Sequence, residues 1–309
     1  MAPRISRASG GSITVGIGDD ASVLRLPKDH EILVTTDFSL EGIHFHRDWH
    51  PPKSVGHRCL ARGLSDIAAM GGNPFATFLS LALPAKLPQG WVDQFLQGLL
   101  ALAKRFKVQL AGGDTAGSPR GVLADIVVVG TVPKGNAILR SGAQPGDRIY
   151  VTGQLGGSAA VLALLRSRKR RLNPKSSPSH FFPEPRIEVG RILGDKRIAT
   201  SMIDVSDGLS TDLSHLCEES GCGAEICQDA IPRAKVGKNS NVDLEFALHG
   251  GEDYELIFTA ARKTHVPSRI ARVQIAEIGQ ITRGRQIILR KPSGATVKLE
   301  PRGWEHFRS

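Results

Sequence analysis

Residues 16–45 read GIGDDASVLRLPKDHEILVTTDFSLEGIHF, and the interpretation of the chain turns on this stretch. It holds two short apolar runs, residues 21–26 and 31–36, each with acids beside it. Asp19 and Asp20 precede the first run and Asp37 closes the second. A strand with a carboxylate at its mouth aims oxygen ligands at one point. Hard cations such as Mg²⁺ want that arrangement, with phosphate oxygens completing the shell. Paired Asp residues also cap turns, so the DD alone decides nothing. The acid-rich turn recurs further on, however, at Asp66, in GGDTAG at 112, in DVSDGLSTDL at 204 and in HGGEDYEL at 249.

Composition sets the outer limits. With 309 residues the chain is long enough for two domains and a sizeable core. Hydrophobic residues make up 40% and charged residues 23%, a globular composition. No apolar run approaches the roughly 18 residues a membrane span needs. MAPRISRASGGS at the N-terminus is basic but has no apolar core, so a secretory signal is not expected. Cys59, Cys217, Cys222 and Cys227 form no C-x-x-C pair, and reduced thiols in the cytoplasm are the expectation. The net charge is +10. Its densest basic run, RSRKRR at 166–171, has no interleaved aromatics and reads as a solvated loop rather than a nucleic-acid surface.

Periodicity orders the rest. Val55, Cys59, Leu60, Leu64 and Ile67 recur at helical spacing over residues 51–70, and Gly71-Gly72-Asn73-Pro74 stops that helix. Asp66 lies near its C-terminal end, where the helix dipole disfavours an anion, and a cation ligand accounts for it best. Strands are expected at 76–83 and at 108–111, the latter ending in GGDTAG so that Asp114 stands at a strand mouth. A helix carrying Trp91, Phe95, Leu99, Leu102 and Phe106 lies between them, and residues 121–132 form a long β-rich run. A boundary falls near 133–140. Beyond it strands are expected at 147–152, 199–204 and 224–227, and helices at 158–166, from 185, from 209 and near 242–248. The two halves share a faint pattern of strand, acidic turn, helix and GG-acid turn.

Six carboxylates, Asp20, Asp37, Asp66, Asp114, Asp204 and Asp207, thus sit at expected turns or element ends. So many acids converge only around cations, because like charges repel at short range. Magnesium with a polyphosphate is the natural case, and phosphoryl transfer follows as the reaction class. G-x-x-x-x-G-K-[ST] is absent and GIGDDA lacks the third glycine of G-x-G-x-x-G. His-Arg-Asp and Asp-Phe-Gly signatures of protein kinases are absent too.

At this point the blocks resemble a family. GIGDD at 16, TTDFSLEGIHF at 35, LSDIAAMGG at 64, GGDTAG at 112, RSGAQPGD at 140, IDVSDGLSTDL at 203 and HGGEDYEL at 249 resemble thiamine-monophosphate kinase, in the family's order and over essentially the whole chain. That family shares a superfamily with aminoimidazole ribonucleotide synthetase, selenophosphate synthetase and a hydrogenase maturation factor. The resemblance implies an α/β (α+β), two-domain, aminoimidazole ribonucleotide synthetase-like fold, with N-terminal strands of two copies closing a barrel across a homodimer. Residues 1–138 would be the N-terminal domain (dimerisation, metal and ATP phosphates), and 139–309 the C-terminal domain (ATP and substrate closure). It also implies ATP-dependent conversion of thiamine monophosphate to thiamine diphosphate, with several Mg²⁺ ions, in a cytoplasmic enzyme with no membrane or nucleic-acid partner.

Carried over position by position, Asp20, Thr35, Thr36, Asp37, Asp66, Asp114, Asp204 and Asp207 resemble the metal ligands. Gly113, Asp114, Arg140 and Ser206 resemble the ATP contacts, and His44, Glu252 and Trp304 the contacts to thiamine phosphate. Asp37, Asp114 and Arg140 carry the catalytic expectation. The chain departs from the family pattern at its shortened N-terminus, at Arg62-Gly63, and at His249, where Ser is common. Two competing readings are another ATP enzyme of the superfamily and a non-catalytic relative binding nucleotide or RNA through its positive charge.

Overall fold

A computed structural model describes residues 12–167, 172–235 and 240–304. The chain divides into two compact units. The first comprises Met1–Ile67, Gly72–Gly135 and Phe181–Pro183; the second comprises Ala68–Gly71, Asn136–His180 and Glu184–Ser309.

In the first unit, β1 (Ile13–Val15) and β2 (Val23–Leu24) form a small antiparallel pair. The main sheet holds β3 (His30–Leu40), β4 (Asn73–Pro84), β5 (Gln109–Ser118) and β6 (Leu123–Pro133) in the order β3-β6-β4-β5, with β4 and β5 parallel. Helices α1 (Pro52–Ala69) and α2 (Gln89–Phe106) follow β3 and β4. Their apolar stripes, Val55, Cys59, Leu60, Leu64 and Ile67 on α1 and Phe95, Leu99 and Leu102 on α2, are all buried. The helices cross at two glycines. A Cβ at Gly56 would stand 1.9 Å from the Phe95 carbonyl oxygen, and one at Gly98 1.9 Å from that of Lys53.

Two strands outrun their expected ends. β3 continues through Asp37 to Leu40, paired residue by residue with β6, so Asp37 lies within a strand rather than at its mouth. GGDTAG is strand as well, because β5 extends to Ser118 alongside β4, and Asp114 is likewise internal. Gly113, at φ 151°, makes that pairing possible: a Cβ there would lie 1.9 Å from the Leu79 carbonyl oxygen.

The second unit is built on one larger sheet. Its strands are β7 (Arg148–Thr152), β8 (Ser201–Asp204), β9 (Gly223–Cys227), β10 (Leu256–Ala260), β11 (Arg269–Ile270), β12 (Val273–Thr282), β13 (Ile287–Arg290) and β14 (Thr296–Lys298). The order is β14-β13-β9-β12-β7-β10-β8, with β11 paired to β12. Helices α3 (Gly157–Arg166), α4 (Pro178–Phe181), α5 (Ile187–Asp195), α6 (Leu209–Ser220) and α7 (Leu244–His249) intervene. The core packs Leu209, Leu213, Leu216 and Cys217 of α6 with Ile203, Ile226, Ile257 and Ile278 of the sheet. Trp304 lies after the last strand, outside it. Residues 168–171 of the basic run, the N-terminal residues 1–11 and the end of RGWEHF lie outside the described residues.

Candidate active site

In the first unit the acids gather where α1 lies over β3. Alternation along β3 turns Leu33, Thr35, Asp37 and Ser39 to one side and leaves Ile32, Val34 and Phe38 exposed on the other, at 47%, 64% and 55%. Thr35 Oγ1 donates to Asp66 Oδ2, which α1 supplies. Asp37 also hydrogen-bonds to Asp66. Burial, then the neighbouring Asp66 charge, pushes the Asp37 carboxyl up to about 7, while Arg62 opposes the rise. Arg62 reaches from α1 to the Phe38 carbonyl at 2.9 Å. The departure at Arg62 therefore sets a guanidinium beside the Asp37–Asp66 pair. Thr36 faces the other way and donates to Asp125 Oδ1 at 2.7 Å. Asp125 was not among the expected ligands, because it sits inside an alternating strand with no turn to mark it.

The other acids of this unit lie across the sheet. Ser22, just after Asp19-Asp20, donates through Oγ to the Ala111 carbonyl at 2.7 Å, which brings the GIGDD segment onto β5. Asp114 Oδ1 accepts the Thr115 N–H at 2.7 Å. Since β3 and β5 are opposite edges of a four-stranded sheet, strand spacing puts them roughly 14 Å apart. The structure thus joins Thr35, Asp37 and Asp66, and separately brings the Asp20 segment to the strand of Gly113 and Asp114. His44 follows β3, its Nδ1 accepting the Leu40 N–H at 3.0 Å, and is half-buried.

In the second unit three segments meet at the turn between β8 and α6. Asp204 is the buried last residue of β8 and pairs with Leu256. The Ser206 carbonyl accepts the Glu252 N–H at 2.7 Å, and the Asp207 carbonyl accepts the Trp304 N–H at 3.2 Å. A Cβ at Gly303 would lie 2.1 Å from that Asp207 oxygen, so only glycine lets the tail come so near. Glu252 and Tyr254 adopt φ of 65° and 52°, conformations that non-glycine residues hold only where surroundings impose them. Asp212 accepts the N–H groups of Asp207 and Gly208 at 3.1 and 2.9 Å. Burial, followed by Asp207, raises its carboxyl to about 8. Asp253, raised to about 7 chiefly by burial, accepts the N–H groups of Gly156 and Ser158 at 2.5 and 3.2 Å. His249 is turned toward Ser210, its Nδ1 2.8 Å from Ser210 Oγ, while Arg302 lies against its Nε2.

Arg140 stands apart from this turn. It is exposed, and its carbonyl accepts from Ser220 Oγ at 3.0 Å, at the far end of α6. That 12-residue helix is roughly 18 Å long.

Among the described residues no group of three or more His, Cys, Asp or Glu is placed to hold a metal ion. The donor chemistry in the first unit nevertheless fits a hard divalent cation. Thr35, Asp37 and Asp66 are all oxygen donors in contact, and the crowding that pushes the Asp37 carboxyl up is what a bound cation would relieve.

Comparison with known proteins completes the picture. "AIR synthase related protein, N-terminal domain" matches residues 18–132, and its C-terminal counterpart matches residues 144–291. The thiamine-monophosphate kinase of Salmonella typhimurium is 38% identical, over 97% of this chain and 94% of its own length. A crystal structure of thiamine-monophosphate kinase from Stenotrophomonas maltophilia superposes with a TM-score of 0.79 at 32% identity, covering 90% of this chain and 91% of that one. A structure of AaThiL complexed with AMPPCP and TMP gives a TM-score of 0.79 at 32% identity, over 91% of this chain and 89% of that one. The chain belongs to the thiamine-monophosphate kinase family.

Proposed function

We propose that this chain phosphorylates thiamine monophosphate at the expense of ATP, by direct in-line transfer aided by Mg²⁺. The observation that carries the reading is the Asp37–Asp66 pair, two carboxyls crowded together with Thr35 in a chain of net charge +10. The relative solved with AMPPCP and TMP supports the choice of co-substrates. Thr35, Asp37 and Asp66 are assigned to metal, together with Asp20, Thr36, Asp114, Asp204 and Asp207. When bound, Mg²⁺ neutralises phosphate charge that would otherwise oppose transfer. Gly113, Arg140 and Ser206 are assigned to ATP, the planar guanidinium of Arg140 matching phosphate oxygens. His44, Glu252 and Trp304 are assigned to the thiamine phosphate. No strong general base is needed, because the acceptor phosphate, with a second pKa near 6, is already largely ionised at neutral pH.

Residues 1–138 would carry dimerisation and metal binding, and 139–309 ATP and substrate closure. The exposed apolar face of β3 at the sheet edge, Ile32, Val34 and Phe38, supports a homodimer in which N-terminal strands of two copies close a barrel. Among the described residues no helix is long and apolar enough to cross a membrane, and Cys59, Cys217, Cys222 and Cys227 are free thiols. We place the enzyme in the cytoplasm. ADP release measured with ATP and Mg²⁺ should depend on added thiamine monophosphate and yield thiamine diphosphate in equal amount. ADP release indifferent to thiamine monophosphate would overturn the reading.

A further inference from the structure

The second unit contains a pocket of about 460 Å³ at the sheet end where β7 stops and β12 starts. None of the residues assigned to phosphoryl transfer lines it. Its floor is an ion pair. Arg186 donates through Nε and Nη2 to the two oxygens of Glu255, at 2.7 and 2.5 Å, and Thr152 Oγ1 donates to Glu255 Oε2 at 2.5 Å. Glu255 is thereby satisfied within the protein, its side chain 5% exposed against 20% for Arg186. Arg186 has five N–H donors, and its Nη1 edge has no partner among the described residues. That nitrogen is not sealed in either, since the single buried unpaired side-chain polar atom among them is Trp91 Nε1. Arg186 lines the pocket, and this nitrogen keeps some exposure.

Two further cations stand on the rim. Lys235 and Arg272 are exposed and have no carboxylate within ion-pair distance among the described residues. Ser177 and Ser179 add hydroxyls to the lining. Among the described residues the only carboxylate lining the pocket is Glu255, which Arg186 already neutralises, so these residues leave the pocket with net positive charge. The backbone under Arg272 is also unusual. Ala271 and Arg272 join β11 to β12 in a two-residue turn, with φ of 46° and 68°. Turns with both central residues at positive φ normally take Asn, Asp or Gly. An arginine there is held against its conformational preference, and its side chain contributes to the pocket.

We propose that this pocket binds a phosphate-bearing small molecule, with the phosphate on Arg186 between Lys235 and Arg272. Guanidinium, ammonium and hydroxyl donors around a net positive cavity are the chemistry that recognises phosphate oxygens. The volume lies in the range of small-ligand sites. Free phosphate and the phosphate group of an organic ester would satisfy the same donors.

The test is isothermal titration of the full chain, without ATP or Mg²⁺, with inorganic phosphate in one arm and glucose 6-phosphate in the other. Saturable binding is expected in at least one arm. Tighter binding of the ester identifies an organic phosphate as occupant, and tighter binding of the free anion identifies phosphate itself. A Lys235→Ala/Arg272→Ala double variant, changed only at exposed positions, should weaken that binding by about tenfold or more, as two lost charge-assisted contacts imply. Arg272→Gly should raise the melting temperature, because glycine tolerates positive φ, while weakening binding. Trp304→Ala should leave it unchanged. No saturable binding in either arm, or isotherms the same in the double variant as in the unaltered chain, would overturn the site.

Discussion

Asp37 and Asp212 each lie largely out of water beside a second acid, Asp66 in one case and Asp207 in the other. Their surroundings differ in what answers the charge. Asp212 accepts two backbone N–H groups of the turn before α6, so its carboxyl holds Asp207 and Gly208 in place. Asp253 does the same for the segment before α3. Around Asp37 stand another carboxylate, a threonine hydroxyl that donates to that carboxylate, and the guanidinium of Arg62. Asp212 and Asp253 thus cap backbone in the second unit, whereas the pair of the first unit, Asp37 on β3 and Asp66 on α1, has its crowded charge answered by no such N–H pair, which suits the cation proposed for it. Counting acids cannot separate the two; asking where the N–H donors are can.

The largest effect expected from this contrast is on turnover. Asp37→Asn should lower kcat by roughly 10² or more, the order lost with one electrostatic stabiliser. The same change should leave the melting temperature in EDTA unchanged or raised at pH 8, because it removes a crowded charge. Asp212→Ala should act in the opposite sense on the fold, losing about 1–3 kcal/mol of stability as two turn N–H groups lose their acceptor, measured by denaturant unfolding. Full activity of Asp37→Asn at limiting Mg²⁺ would remove Asp37 from the metal set.

A second expectation concerns pH. An unfolded carboxyl titrates near 4, whereas folded Asp37 and Asp253 titrate at about 7 and Asp212 at about 8. Between those limits the folded chain holds protons that the unfolded chain has released. Stability contributed by these groups is therefore greatest at low pH and falls as pH rises through about 4 to 8. Melting temperatures in EDTA should decline across that window. Excess Mg²⁺ should lessen the decline through Asp37 but not through Asp253, whose carboxyl is occupied by the backbone N–H groups of Gly156 and Ser158. Equal slopes with and without Mg²⁺, or an Asp37→Asn variant with the slope of the unaltered chain, would break the distinction.

Much of this was legible in the residues. Helical spacing located α1 and α2, and GIGDD, DVSDG and HGGEDYEL marked the segments that carry the acids. What escaped has physical causes. The expectation that Asp37 stands at a strand mouth treated the apolar run as the whole strand, but β3 carries its apolar residues Ile32, Val34 and Phe38 outward and its polar Thr35, Asp37 and Ser39 inward. Burial sense is a tertiary property that alternation alone does not fix. The glycines of GGDTAG read as turn, yet Gly113 permits close strand pairing rather than a bend. Asp125 was silent because its contact with Thr36 spans 89 positions of sequence.

The smallest effect, and the most specific, belongs to Trp304. The residue is 45% exposed, which is not how a core aromatic sits. Its backbone is nevertheless fixed: the Trp304 N–H reaches the Asp207 carbonyl at 3.2 Å, and the Gly303 N–H reaches Thr211 Oγ1 at 3.0 Å. An aromatic with a pinned backbone and a part-exposed side chain, beside the turn that carries Ser206 and Asp207, is of the type that stacks on a flat or cationic group. Thiamine presents both, a pyrimidine and a thiazolium. Such a contact contributes on the order of 0.5–2 kcal/mol, or about 2- to 30-fold in binding. Trp304→Ala should therefore raise KM for thiamine monophosphate within that range and leave KM for ATP nearly unchanged, and Trp304→Phe should recover most of the loss. A purely structural ring predicts the reverse pattern, a lower melting temperature with KM for thiamine monophosphate unaltered. Because the backbone anchors do not depend on the side chain, Trp304→Ala should keep the tail docked, so a change confined to KM can be read as loss of the ring itself.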